Sequence, residues 1–330
     1  MNPIYPGLCR GKWIKQKVAQ GFCVVRGILY LFATSVMMIY LIQLLQSVST
    51  SLMVAAKESM QVYDIRGSET GLRVKPMNNK SIIETCARRY DSFYLYDENS
   101  IRSSLSALKA NFPGIEFLYS IKCNPNPHVL RCVFVHGLVA AAASLGEVIM
   151  ADHAGLGQDQ IFYSAPGKTV KEIEGAMTKA TLIADSLEEI ERIRHVAESA
   201  GRTVKIGLRI NPDFTFTKEY GQASKFGIDE EQALRFLKEH DGKNIRVSGI
   251  HVHLKSQELH TDALASYYEK LLRLSERFSH VCGGLDYVNM GSGIGVPYTE
   301  TDEPPDLSYL GSFVRKRSTV SGKSTLKQDG

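Results

Sequence analysis

Residues 116–127 read Glu-Phe-Leu-Tyr-Ser-Ile-Lys-Cys-Asn-Pro-Asn-Pro. The apolar positions Phe117, Leu118, Tyr119 and Ile121 predict a buried strand. Lys122 closes it, and the Asn-Pro-Asn-Pro that follows cannot continue a strand. The end of a buried strand is a costly place for a solvated ammonium. It suits an amine that must lose its proton and attack a carbonyl. The bland alternative is a lysine that snorkels out to water.

Outward from this strand the pattern alternates. Strands are predicted at 93–96, 138–143, 161–164, 181–184, 203–210, 244–253 and 285–290. Helices fall between them, at 101–110, 129–135, 170–179, 187–200, 230–240 and 262–278, and Ser144 opens another, with Glu147 at capping-box spacing. Strands and helices at this spacing mean βαβ units and a parallel sheet. About seven strands from the Lys122 strand onward suit a (β/α)8 barrel better than an open sheet of five or six. Lys122, Ser144, Asp185, Arg209, His253 and Gly291 all fall at strand carboxyl ends, which a barrel gathers on one face.

Composition excludes several classes. The 330 residues are 44% hydrophobic and 22% charged, with a net charge of +4, which is ordinary for a globular protein. Basic residues cluster at the two termini, and no basic stripe with interleaved aromatics marks a nucleic-acid surface. The six cysteines form no C-x-x-C pair. This argues against a zinc site or a disulfide framework and fits a reducing, cytoplasmic setting. Residues 28–48 form an uncharged run (ILYLFATSVMMIYLIQLLQSV) long enough to span a bilayer, with basic residues before it. Two readings stand for it: a membrane anchor, or a stretch upstream of a later start at Met53, Met60 or Met77. The expected organisation is an amino-terminal extension over 1–80, a barrel domain over 81–310 and a disordered basic tail over 311–330.

Further motifs carry chemistry. Gly291-Ser-Gly-Ile-Gly295 follows the last predicted strand. Its glycines allow close backbone approach, and its N–H groups could cradle a phosphate; a simple turn is the alternative. It is no dinucleotide fingerprint, since no βαβ unit follows. His251 and His253 share a strand face. His251 reads as a satisfied core histidine, and His253 as a ring presented to a planar ligand. No carboxylate or thiolate completes a metal set around them, so no metal is expected. A lysine, a phosphate cradle and an aromatic stacker at neighbouring strand ends point to pyridoxal phosphate.

The residues then resemble a known family. Tyr119-Ser-Ile-Lys-Cys-Asn-Pro-Asn126 is similar to the cofactor-lysine motif of the fold-type III pyridoxal-phosphate decarboxylases, the diaminopimelate, ornithine and arginine decarboxylase group. Ala143-Ser-Leu-Gly-Glu147, Ala184–Ile190, Leu208–Pro212, Ser224–Ile228, Gly249–Gln257 and Asn289–Gly295 resemble further blocks in the family's order. The diaminopimelate branch fits best. The resemblance implies an alanine racemase-like barrel and a homodimer. It makes Lys122 the Schiff-base lysine and proton carrier, with His253 on the ring. Ser256 and the amides of Gly291, Ser292 and Gly293 would hold the phosphate. Arg209, Ser144 and Glu147 would lie near the ring or its support. The reaction implied is decarboxylation of an amino acid, meso-diaminopimelate or a related diamino acid. The alternatives are a catalytically impaired cofactor-binding relative and an alanine-racemase-type enzyme.

Three departures stand out. Lys255 replaces a glycine beside the phosphate serine, and Ser292 replaces the middle glycine of the turn. The family's Glu-Pro-Gly-Arg block, its eighth strand and its carboxy-terminal β domain are not found in the sequence.

Overall fold

The structure is a computed structural model that describes residues 64–68, 71–75 and 80–320. Two compact units divide the chain, residues 1–61 with 79–95 and residues 62–78 with 96–330. In the first, the described part is helix α1 (Lys80–Ala87), with Cys86 buried, and the stretch to Leu95. Residues 93–96, expected as a strand, make only a single bridge at Leu95. Tyr94 is exposed, so little burial drives pairing there. The hydrophobic segment 28–48 lies outside the described residues; among those described, no helix is long and apolar enough to cross a membrane.

The second unit opens with an antiparallel hairpin, β1 (Asp64–Ser68) and β2 (Gly71–Lys75), and helix α2 (Glu98–Asn111). Strands and helices then alternate: β3 (Leu118–Ser120), α3 (Pro127–Val135), β4 (Val139–Ala142), α4 (Leu145–His153), β5 (Ile161–Ser164), α5 (Val170–Ala176), β6 (Thr181–Ala184), α6 (Leu187–Ser199) and β7 (Val204–Asn211). The short β8 (Ile228–Asp229), α7 (Glu230–Glu239), β9 (Ile245–His251), α8 (Thr261–Cys282), β10 (Tyr287–Asn289) and α9 (Leu307–Val320) follow. The main sheet runs β3-β4-β5-β6-β7-β9-β10, every neighbour parallel, with β8 paired to β7 at the side.

The sheet curls. Tyr287 on β10 meets Phe162 on β5 edge-on, with ring centroids 5.0 Å apart. Those strands are four positions apart, which in a flat sheet is about 19 Å. His251 on β9 and Ser164 on β5, three positions apart, are within 3.1 Å. Both contacts cross the inside of a barrel. Alternation along the strands separates two apolar faces. Ala140, Ile161, Leu182, Ile206 and Ile250 pack outward in the large core under the helices. Val139, Phe162 and Ile183, with Leu118 and Tyr287, form a small inner core. Tyr287 fits because Gly207 and Gly249 carry no side chain: a Cβ at Gly207 would lie 2.2 Å from its Oη, and one at Gly249 2.5 Å from its ring. The fold is thus an incomplete (β/α)8 barrel. Among the described residues no eighth strand joins β10 to β3.

The tail expected from residue 311 begins instead as a helix. Leu307, Leu310 and Val314 are buried at helical spacing, and α9 packs on both α2 and α8. Gly311 permits it: a Cβ there would stand 1.8 Å from the carbonyl oxygen of Asn111, at the end of α2. The basic residues that suggested disorder, Arg315, Lys316 and Arg317, are exposed, and Arg317 pairs with Glu269 of α8 at 3.2 Å beside the packed face. Residues 321–330 lie outside the described residues.

Candidate cofactor site

Lys122 lies just beyond β3, on a single 3-10 turn from Ile121 to Cys123. Ile121 is fully buried and anchors that turn, whereas Lys122 is exposed. Among the described residues its amine has no ion pair. The strand expected to bury it is only half-buried and stops two residues earlier.

His251 ends β9, one residue before Val252 makes the last ladder bond, to Asn289 O at 3.0 Å. His253 therefore sits past the strand, on a loop, and not on the same strand face as His251. His251 is held by the Ser164 hydroxyl. Its pKa is pushed down to about 3, by burial first and then by its neighbours Arg209, His253 and Lys122. The imidazole is neutral at physiological pH, and Arg209, His253 and Lys122, at the ends of neighbouring strands, lie near enough to contribute to that shift.

His253 Nδ1 lies 3.0 Å from the carbonyl oxygen of Gly291. A carbonyl can only accept, so Nδ1 carries the proton. The Ser256 hydroxyl lies 3.3 Å from Nε2. In the neutral ring Nε2 accepts, so the Ser256 proton is committed to it. To donate to a ligand, Ser256 must turn away.

Gly291, Ser292 and Gly293 all take positive φ, 63°, 54° and 83°. A Cβ at Gly291 would strike Val252 O at 2.1 Å. The Gly291 amide donates to Asn289 Oδ1 at 3.0 Å. Among the described residues the amides of Ser292 and Gly293 donate to no protein atom. The expected row of three donors is thus two. The loop after β9 is zipped to this turn: Glu258 N donates to Gly293 O at 2.9 Å, Gly295 N to Glu258 O at 2.8 Å, and Val296 N to Gln257 Oε1 at 3.0 Å. Lys255 turns its amine to Glu258 Oε2 at 2.6 Å. Burial would raise the Glu258 carboxyl, but Lys255 and His260 outweigh it and hold its pKa at about 2.

Arg209 pairs with Asp185 at 3.0 Å, and its guanidinium lies over the Phe226 ring at 4.7 Å. Ser144 and Glu147 face the same end of the sheet, but their polar atoms act locally. Ser144 Oγ caps α4 by accepting from Glu147 N at 3.2 Å. Glu147 Oε2 reaches one residue past the expected capping box, to Ala143 N at 2.8 Å. The structure thus gathers Lys122, Arg209, His251 and His253 in one field, with Ser256 and the 291–293 turn bonded around His253. It shows no link from Ser144 or Glu147 to them. Asp185, Ser164 and Phe226 are the contributors that sequence reasoning left without a role. Phe226 lies within a quoted family block, which was the available signal.

Among the described residues, an anion-seeking turn with two open amides, a hydroxyl beside it, a ring at its edge and an unpaired amine match the donor set that pyridoxal phosphate requires. The profile of the family described as "Pyridoxal-dependent decarboxylase, pyridoxal binding domain" matches residues 98–322. The chain belongs to that family. It is 32% identical over 246 residues to an L-glutamyl-[BtrI acyl-carrier protein] decarboxylase of Niallia circulans, covering 69% of this chain and 56% of that one. It is 30% identical over 231 residues to the diaminopimelate decarboxylase of Aquifex aeolicus, covering 67% and 55%. The crystal structure of Helicobacter pylori diaminopimelate decarboxylase complexed with L-lysine superposes with a TM-score of 0.65 at 26% identity, over 72% of this chain and 63% of that one. The chain spans little more than half the length of these two curated relatives. Within this family, pyridoxal phosphate is the expected cofactor.

Proposed function

We propose that this chain forms the cofactor-binding part of a pyridoxal-phosphate-dependent amino-acid decarboxylase, with meso-diaminopimelate or a related diamino acid as substrate. The convergence of Lys122, Arg209, His251 and His253 beside the open amides of the 291–293 turn carries this reading. When bound, the cofactor supplies an electron sink for the carbanion left as carbon dioxide departs.

The chain's own residues divide the remaining work. Lys122 offers an amine that has no competing ion pair among the described residues, to attach the cofactor and later to return a proton. His253, fixed by Gly291 O, presents its ring as a platform. Ser292 and Gly293 amides, with a reoriented Ser256 hydroxyl, bind the phosphate. Neutral His251 can hydrogen-bond in the site without adding a positive charge to those of Lys122 and Arg209. Arg209, neutralised by Asp185, supports the site without competing for a carboxylate. The setting we propose is a cytoplasmic homodimer.

A second reading is an amino acid carried on an acyl-carrier protein, favoured by the Niallia circulans relative. Carbon dioxide release from free diaminopimelate and from glutamyl-loaded carrier protein separates the two. Release from diaminopimelate supports the first reading. Release from the carrier-bound substrate alone replaces it with the second. Release from neither, with cofactor bound, overturns both.

A further inference from the structure

We propose that Tyr268 is a positioning residue for the cofactor phosphate: its hydroxyl holds the Ser292 carbonyl and thereby aims the Gly293 amide. The proposal rests on the reading that the 291–293 turn takes the phosphate.

Tyr268 stands on α8, outside the sheet, and is 3% exposed. Its Oη donates to Ser292 O at 3.2 Å. Ser292 is one of three described non-glycine residues at positive φ, a conformation that a side chain disfavours and that needs outside support. The carbonyl of Ser292 and the N–H of Gly293 belong to one trans peptide plane and point in opposite directions. A bond that fixes the carbonyl toward α8 therefore fixes the N–H away from it. That N–H is one of the two open donors of the turn. Phe216 closes the remaining room: its ring stacks on Tyr267 at 4.2 Å, and a Cβ on Gly293 would meet it at 2.8 Å.

Tyr267 supplies the contrast. Its hydroxyl donates to Met290 O at 2.8 Å. The amide in that peptide plane is that of Gly291, which is already committed to Asn289. Both tyrosines are buried neighbours on one helix, but only Tyr268 controls an open amide.

The test uses the full chain and equilibrium titration with pyridoxal phosphate and with pyridoxal, which lacks the phosphate. Tyr268→Phe is expected to weaken pyridoxal phosphate binding by about fivefold to tenfold, the effect of one hydrogen bond, and to leave pyridoxal binding unchanged. Tyr267→Phe is expected to leave the ratio of the two affinities at the wild-type value. A Tyr268→Phe protein with the wild-type ratio overturns the proposal, as does an equal change of ratio in both variants. A wild-type chain that binds neither compound overturns the site reading as well as the role of Tyr268.

Discussion

Strands β3 to β6 are three or four residues long, and the helix after each begins on a side-chain cap: Asn126, Ser144, Thr169 and Ser186. The later strands are built otherwise. β7 and β9 are longer and shift register between Ile206 and Gly207, and α7 and α8 start without a side-chain cap. Long loops at 212–227, 252–260 and 290–306 leave their carboxyl ends. The regular part contributes Lys122, with Ser164 and Asp185 as partners of His251 and Arg209. The irregular part contributes Arg209, His253, Ser256 and the 291–293 turn. Regular βα units make a rigid frame, and departures from regularity turn backbone and side chains toward a ligand.

The frame also holds a tie that fixes strand ends. Lys168 is 1% exposed, and its Nζ donates to Ala165 O at 2.7 Å, Ile183 O at 2.6 Å and Glu189 Oε1 at 2.6 Å. It joins the ends of β5 and β6 to α6. Burial pulls the Lys168 pKa down, against the opposing pull of Glu189. Lys168→Met strands a buried carboxylate and should cost about 3–5 kcal/mol in chemical denaturation. A cost no larger than that of an exposed pair would break the division into frame and site.

Gly207→Ala tests the inner core that the two parts share. Overpacking against Tyr287 should cost about 1–3 kcal/mol, read as a lower thermal midpoint. Acid should then act through the irregular part. Below pH 6.5 the unfolded chain protonates His251, whereas the folded chain resists until about pH 3. Protons therefore favour unfolding, and stability should fall between pH 6.5 and 4.5 by up to about 1.4 kcal/mol per pH unit. His251→Gln should flatten that slope in denaturation curves; an unchanged slope removes His251 as its source. The smallest expected effect is Thr169→Ala. It removes the reciprocal cap with Glu172 and should cost about 1 kcal/mol, with cofactor affinity unchanged. A loss of affinity there would show that the frame is not separable from the site.

Legibility in the sequence followed the same line. Residues 161–164 and 181–184 are apolar runs bounded by polar residues, and both strands fall where the pattern puts them. Ser144 and Ser186 cap the helices they precede, because capping is local chemistry. The strand end at Lys122, the break between His251 and His253, and the partners of Arg209 depend on how distant segments meet. No spacing encodes them. Lys168 and Glu189 are separated by α5 and β6, and only the fold brings them together and buries both. The tail misled for a related reason: the basic run Arg315-Lys316-Arg317 looks disordered until α2 and α8 cover Leu307, Leu310 and Val314 just before it.

Attachment of the cofactor at Lys122 is the step on which the proposed function rests. It is tested most directly by incubating the full chain with pyridoxal phosphate, reducing with borohydride and mapping the labelled peptide. The label should fall on the peptide carrying Lys122 and vanish in Lys122→Ala. A label on another lysine, or none at all, would contradict the account.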